Sequence, residues 1–499
     1  MKTIIFWILA SLLAVASTLH LSISANPSRI NPIVSTDSAS STIDQWIFNA
    51  LVKYDKNGNV VPDLARSYRF LSPTLLEFTL REDVLWSDGT PLRAQDVLFT
   101  YETIISPDIF TPYSSSFTHI KNVTILDELT VHVEYKYPYF KALETWMMGI
   151  LPKHLLENEK NLMTSAFNQA PIGTGPYTLE GFEISKDIVL KANPRYFEGA
   201  AKIPTMIYHF LPDASTEFLM LKSHKLDMGT ISPLQYERQI DDAFRSFYNV
   251  YEQISHSYVY MGMNLKDPKF ADLRVREALS LGVDRQALVD FIQFGHGEVC
   301  HGPFLPGTNA YNPHVKAPQR NIEKAKALLR EAGYDEHHPL TFTLTTSAGA
   351  RTYIAEILQY QLQAIGVKVH IRVMEWQAFL NTVILPKRFE AVLLAWSVGL
   401  KPDAYSIWHS ESYRKGGFNF VGYENKEVDR LIKEAEKIVD PDAFGKVYQK
   451  IFQYIAQDVP YLFLYIPNTI TVINKNISPI DPALVGIMHN TIRWEKTGK

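Results

Sequence analysis

The sequence predicts an α/β protein with more than one domain, and three observations carry that prediction. The chain has 499 residues, whereas a single hydrophobic core stops growing at roughly 250–300 residues. Its second half alternates strand and helix patterns in the order β-α-β-α-β, which implies a parallel sheet with right-handed crossovers. Its first part runs strand, turn, helix and two further strands, a mixed α+β unit.

Taken in order, Lys2 precedes an apolar run over 4–15, and Ala14-Val15-Ala16 offers small residues to a peptidase. That is the layout of a secretory signal peptide, with cleavage expected after Ala16. The run is short of the roughly 20 apolar residues a spanning helix needs. Cys300 is the single cysteine and lies far from that site. Neither a lipid anchor on cysteine nor an intramolecular disulfide is therefore available, and stability has to come from core burial. The expected product is a soluble monomer exported to a periplasm.

Over 75–81, Leu76, Phe78 and Leu80 alternate with Glu77, Thr79 and Arg81, the period of a half-buried strand. Ser87-Asp88-Gly89 reads as a turn, glycine supplying positive φ at little steric cost. From Ala94 the period becomes helical, with Val97, Leu98, Tyr101, Ile104 and Ile105 on one face. Strands follow at Val123 and Ile125 and at 129–135, joined at Asp127-Glu128. Pro171-Ile172-Gly173-Thr174-Gly175-Pro176-Tyr177 reads as a tight, rigid crossing whose glycines serve turn geometry; no third glycine or Gly-Lys-Ser/Thr makes it a phosphate loop. Strands are expected at 177–181 and 187–192.

Further on, helices are expected at 275–282 and 285–294, the second started by Asp284 and stopped by Gly295. The β-α-β-α-β run comprises 340–346, 351–365 (ended by Gly366), 367–373, a short helix from Trp376, and the apolar strand 389–396. Asp440 caps a last helix with Pro441 at its first position and a buried stripe of Phe444, Val447, Tyr448, Ile451, Phe452 and Ile455. The strand 461–466 follows. No repeat or low-complexity linker interrupts the chain.

The formal net charge of −4 offers no basic field, so nucleic acid is not an expected partner. With 26 tyrosines and 27 phenylalanines, the chain has ample stacking area for a polar organic ligand. No Gly-x-Ser-x-Gly, His-Glu-x-x-His, Cys-x-x-Cys or P-loop pattern occurs. His296, Cys300 and His301 match no standard zinc spacing. No catalytic residue, metal or cofactor is assigned, and no enzyme activity is expected.

The stretch 60–102, VVPDLARSYRFLSPTLLEFTLREDVLWSDGTPLRAQDVLFTYE, carries the strongest motif. Its V-P-x-L-A opening, L-E-F-T-L-R strand, W-S-D-G-T-P turn and A-x-D-V-x-F-T-Y-E helix start resemble the signature of the family 5 (peptide/opine/nickel) extracellular solute-binding proteins. Leu151-Pro152-Lys153-His154-Leu155-Leu156, D-L-R-V-R-E-A-L at 272–279 and Tyr461-Leu462-Phe463-Leu464-Tyr465 extend the resemblance over nearly the whole mature chain, nearest to oligopeptide and dipeptide receptors. It implies a two-lobed periplasmic-binding-protein-like (Venus flytrap) fold with an added α+β subdomain. Lobe I would be 17–37, 170–254 and 474–499, the added subdomain 38–169, and lobe II 255–473. It further implies a receptor that closes on its ligand and hands it to the inner-membrane permease of an ATP-binding-cassette importer.

In open α/β sheets, ligands bind beyond the carboxyl ends of strands at a topological switch point. Applied to the strand 389–396, that rule nominates the following loop: Trp396 as an aromatic wall, Ser397, backbone donors at Gly399, and Lys401 or Asp403 as ionic partners. The family resemblance places ligand contacts on the same loop, but this sequence departs from the peptide receptors. They carry an aspartate three residues after the tryptophan to neutralise the peptide's α-amino group; this chain has Gly399 there. Tyr258 and Tyr260 share one face of a strand and are weighed equally as cleft lining and as core. Asn419 resembles a family loop and is weighed equally as a turn residue. A short peptide is the leading cargo, with a nickel-chelate, opine or sugar-like solute as the alternative. A periplasmic chaperone or hydrolase is the reading from another class.

Overall fold

The computed structural model describes residues 18–497 apart from 110, 112, 160, 415 and 416, so the expected export segment at 1–16 lies outside the described residues. Two compact units result. The described part of the first is 18–231, Ile240–Tyr251 and 470–497; the second is Ser232–Gln239 and Glu252–Thr469. Among the described residues no helix is long and apolar enough to cross a membrane.

In the first unit, β1 (Thr18–Ile23) leads to α1 (Ser38–Ile47), whose free N-terminal amides are capped by Asp37 accepting from the Ser40 N–H at 2.7 Å. Strands β2 (Ala65–Ser72) and β3 (Leu75–Leu80), helix α2 (Ala94–Ile105), and strands β4 (Ile120–Ile125) and β5 (Thr130–Tyr135) build the α+β part. Its sheet runs β2-β3-β5-β4, antiparallel throughout. The period of 2 read from the sequence is kept: Leu76, Phe78 and Leu80 are fully buried, as are Val131 and Val133 opposite them. Burying each such side chain stabilises by about 1.5–3 kcal/mol. Gly89 takes φ +97° in the expected turn.

A second sheet, β1-β8-β7-β6, comprises β6 (Tyr177–Glu183), β7 (Asp187–Ala192) and β8 (Thr205–Phe210), with β1 parallel to β8. β9 (Met228–Ile231) pairs antiparallel with Ile470–Ile473. The crossing at Gly173 and Gly175 has a different cause from the one expected. Neither glycine has positive φ. Both press backbone against the end of α1, where a Cβ on Gly173 would sit 1.8 Å from the Ile47 carbonyl oxygen and one on Gly175 2.3 Å from that of Trp46. Close approach, not turn geometry, selects glycine here.

The second unit takes in the short helix α3 (Pro233–Arg238), which falls inside the segment expected for lobe I. It continues with β10 (Ser257–Met263), α4 (Leu273–Gly282), α5 (Arg285–Ile292), β11 (Thr341–Ser347), α6 (Ala350–Gln363), β12 (Lys368–Met374), α7 (Trp376–Phe379), β13 (Ala391–Ser397), α8 (Tyr405–Trp408), α9 (Pro441–Asp458) and the start of β14 (Tyr461–Asn474), whose residues from Ile470 on belong to the first unit. Its strands lie in the order β14-β10-β13-β11-β12. β11 is parallel to both β12 and β13, the arrangement implied by the β-α-β-α-β run. β10 is antiparallel to β13 and to β14. Asp284 and Asp440 cap α5 and α9 through the Ala287 and Ala443 amides, and Phe444, Tyr448, Ile451, Phe452 and Ile455 of α9 are buried.

Candidate functional site

The strand period decides what each face of the second unit's sheet carries. Val259, Met261 and Met263 of β10, Ala391 and Leu393 of β13, and Leu462 and Leu464 of β14 point into one hydrophobic core. Their neighbours in sequence therefore point to the opposite face: Tyr258 and Tyr260, Trp396, Tyr461 and Phe463. Cross-strand register places Tyr258 opposite Trp396 and Tyr260 opposite Phe463. Gly262 leaves room for the rings, since a Cβ there would approach Tyr260 and Tyr461 to 3.1 and 3.4 Å.

The result is a layer of aromatic rings. Tyr260 stacks on Tyr461 with centroids 4.0 Å apart and lies nearly parallel to Trp396 at 6.3 Å. Trp396 in turn stacks against Phe420 at 5.8 Å and meets Phe418 at 6.1 Å. Its indole Nε1 donates to the Tyr461 hydroxyl at 3.3 Å. Trp408 of α8 closes the layer over Tyr461 at 4.8 Å. Burial raises the Tyr461 phenol to about 12 and pushes those of Tyr258 and Tyr260 well above the ordinary value. All three stay neutral at physiological pH. Tyr258 and Tyr260 are fully buried inside this layer. The Tyr258 hydroxyl has no hydrogen-bond partner among the described residues. Trp396 is only half-buried and Phe418 is exposed, so these two form the accessible margin of the layer.

The last residue of β13 and the loop beyond it hold four of the expected contacts. Ser397 and Gly399 are exposed, and an added Cβ at Gly399 meets no atom within 4 Å. With φ outside the left-handed region, that glycine serves openness rather than conformation. Lys401 is half-buried with its ammonium 5.6 Å over the Phe444 ring. The Asp403 carboxylate accepts the Tyr405 N–H at 2.9 Å, which starts α8 and shapes the loop. Asn419 belongs to a buried turn: its amide donates to the His409 and Tyr423 carbonyls at 3.2 and 2.8 Å and accepts the Tyr423 N–H at 2.9 Å. Its side chain is fully buried there.

Residues 59–418 match the family model of the bacterial extracellular solute-binding proteins, family 5. The chain belongs to that family. It is 33% identical to the oligopeptide-binding protein AppA of Bacillus subtilis (strain 168), over 94% of this chain and 89% of the relative. The structure of AppA from Bacillus subtilis in complex with a nonapeptide matches with a TM-score of 0.79 at 31% identity, covering 96% of this chain and 99% of that one. NikZ from Campylobacter jejuni in complex with Ni(L-His) matches with a TM-score of 0.82 at 28% identity, covering 96% and 100%. The fold class is therefore the α/β, two-lobed periplasmic-binding-protein fold of family 5, and the family is one of solute binding rather than catalysis.

For this family 5 chain, several residues of the aromatic layer were missed by sequence reasoning. Phe418 and Phe420 flank Asn419 at the spacing of a strand face, and Tyr461 and Phe463 alternate likewise, but these signals are also those of ordinary core. His296, Cys300 and His301 are drawn to separate partners. His296 bonds Glu237 and Glu252 at 3.1 and 3.0 Å. The buried Cys300 thiol, raised by desolvation to about 12, donates to the Gly302 carbonyl. His301, lowered by burial and then by Lys316 and Arg285 to about 4, accepts the Ala317 N–H. Among the described residues no group of three or more such side chains is placed to hold a metal ion.

Proposed function

We propose that this protein is the periplasmic receptor of an ATP-driven importer, capturing a short peptide and delivering it to an inner-membrane permease. The observation that carries the peptide assignment is the similarity, over 94% of the chain, to a protein named for oligopeptide binding. The half-buried Trp396 at the end of β13, beside the exposed Gly399 with open space around it, supports it physically. An aromatic wall next to backbone that no side chain covers suits a ligand recognised through its own peptide groups, with side chains accommodated through water. In this reading the signal segment at 1–16 exports the chain. Ligand then shifts the population toward the closed form expected from the sequence, because that form binds it better.

A nickel-chelate or related small solute is the second reading, favoured by the similarity to NikZ bound to Ni(L-His). Mass spectrometry of ligand released from the purified protein separates the two. A family of short peptides is the expected result. Recovery of one defined metal chelate with no peptide would overturn the first reading.

A further inference from the structure

We propose that the cavity of the second unit between the start of α5 and the segment 316–320 is a binding site for a small organic anion, with Lys316, Arg320 and His301 around its carboxylate or phosphate group. The inference goes beyond the peptide-receptor reading, because no residue of the aromatic layer or of the loop after β13 lines this cavity.

The cavity has a volume of about 470 Å³, inside the roughly 300–1,000 Å³ of small-molecule sites. Its walls divide by chemistry. Val283 and Val299 supply apolar surface, and Arg285, His301, Lys316 and Arg320 supply cations and donors. That division suits an organic body with one anionic end.

The cations lack a counter-charge. Arg285 is only 5% exposed. Its guanidinium donates to the Phe463 and Ser280 carbonyls at 2.7 and 3.0 Å and to the Ser280 hydroxyl at 2.7 Å. These acceptors satisfy its N–H groups but bring no negative charge, and a buried charge is costly unless paired. Among the described residues no carboxylate forms an ion pair with Arg285, Lys316 or Arg320. Lys316 and Arg320 are exposed, so a ligand can reach them. Arg320 uses only its Nε, on the Gly282 carbonyl at 3.1 Å. Both its Nη groups are without a partner among the described residues and can form a bidentate pair with an oxyanion.

His301 adds a neutral donor. Its Nδ1 accepts the Ala317 N–H at 3.1 Å, so the neutral ring carries its proton on Nε2. Burial first, then Lys316 and Arg285, hold the imidazole down at about 4, and no acid acts on it. The carboxylate in the wall, Asp284, already caps α5 by accepting the Ala287 N–H at 3.0 Å. Three full positive charges thus meet one negative charge around the cavity, and an entering anion supplies what is missing.

The test is equilibrium dialysis of the mature full chain at pH 7 against phenyl phosphate, benzoate, inorganic phosphate and neutral benzyl alcohol. Saturable uptake of phenyl phosphate, benzoate or both is expected, and the stronger of the two identifies the anionic group. Lys316→Gln/Arg320→Gln is expected to weaken that uptake at least tenfold, about the factor of one charge-assisted hydrogen bond. Both side chains are exposed, so the variant should keep the native melting temperature. Should it not fold, the native protein gives a second readout: affinity should fall as sodium chloride is raised, and salt-independent uptake overturns the site. No saturable uptake of either organic anion overturns it too. So does inorganic phosphate or benzyl alcohol retained as well as the better organic anion. Uptake kept in Lys316→Gln/Arg320→Gln but lost on Trp396→Ala would place the anion at the end of β13 and overturn the site as well. A native protein that takes up these anions but retains no peptide refutes the peptide reading alone.

Discussion

Replacing Gly173 with alanine should unfold the first unit far more readily than its one added methyl suggests. The new Cβ would lie 1.8 Å from the Ile47 carbonyl oxygen, 2.7 Å from that carbonyl's carbon and 2.8 Å from Ile47 Cγ2. Ordinary C···O contacts begin at about 3.3 Å, so the two backbones must part by roughly 1.5 Å. The two nearest clashing atoms are backbone at the end of a buried helix, and no side-chain rotation relieves them. Parting them breaks the bond from the Gly175 N–H to the Ile47 carbonyl, now 2.8 Å, and strains that from the Ser87 N–H to the Gly173 carbonyl, now 2.9 Å. Overpacking costs about 1–3 kcal/mol, and each buried backbone group left unpaired about 1–3 kcal/mol more. With the N–H and the C=O of that one bond both freed, a loss of roughly 3–9 kcal/mol follows, a large part of the 5–15 kcal/mol typical of a folded domain. Urea unfolding followed by circular dichroism reads this directly, with Gly181→Ala in β6 as control because a Cβ there meets nothing within 4 Å. The control should stay within about 1 kcal/mol of native. If Gly173→Ala also stays within about 0.5 kcal/mol, the close-approach argument is wrong.

Trp396→Ala removes stacking against Tyr260 and Phe420, each pair contributing about 0.5–1.5 kcal/mol, so stability should fall by about 1–3 kcal/mol. Affinity for the ligand recovered from the purified protein should fall at least tenfold by calorimetry; unchanged affinity would remove Trp396 from the site. Asn419→Ala leaves the His409 and Tyr423 carbonyls and the Tyr423 N–H without their partner. A destabilisation of about 2–4 kcal/mol in urea is expected, and a variant of native stability that loses only binding would contradict the turn role. At His296, burial lowers the imidazole pKa, but hydrogen bonds to Glu237 and Glu252 outweigh it and leave the pKa raised. Its stabilising contribution is therefore complete below the unfolded histidine value of about 6.5 and is lost as pH rises through the raised folded value. Melting temperature should fall from pH 6 to pH 9 more steeply for the native protein than for His296→Asn, and parallel curves would exclude the His296 ion-pair cluster as the cause.

The sequence by itself determined what depends on local period and short-range chemistry. The alternation of Leu76, Phe78 and Leu80, the caps at Asp284 and Asp440 and the β-α-β-α-β run each follow from neighbours within a few residues, and each stands in the structure as read. The 60–102 motif likewise led to the family without any knowledge of packing. What the sequence left open depends on groups brought together from far apart. Tyr258 and Tyr260 are weighed equally as cleft and core in the sequence, and only the pairing of β10 with β13 and β14 brings Trp396, Tyr461 and Phe463 against them. Gly173 looked like a turn because Ile47, 126 positions earlier, is what its hydrogen atoms make room for. Arg285 carried no signal at all, since a helical arginine is normally solvated. Only the approach of the Phe463 carbonyl, 178 positions away, withdraws water from its guanidinium and leaves it among neutral acceptors. Dielectric environment and close approach are properties of the assembled interior, so tertiary structure alone decides them.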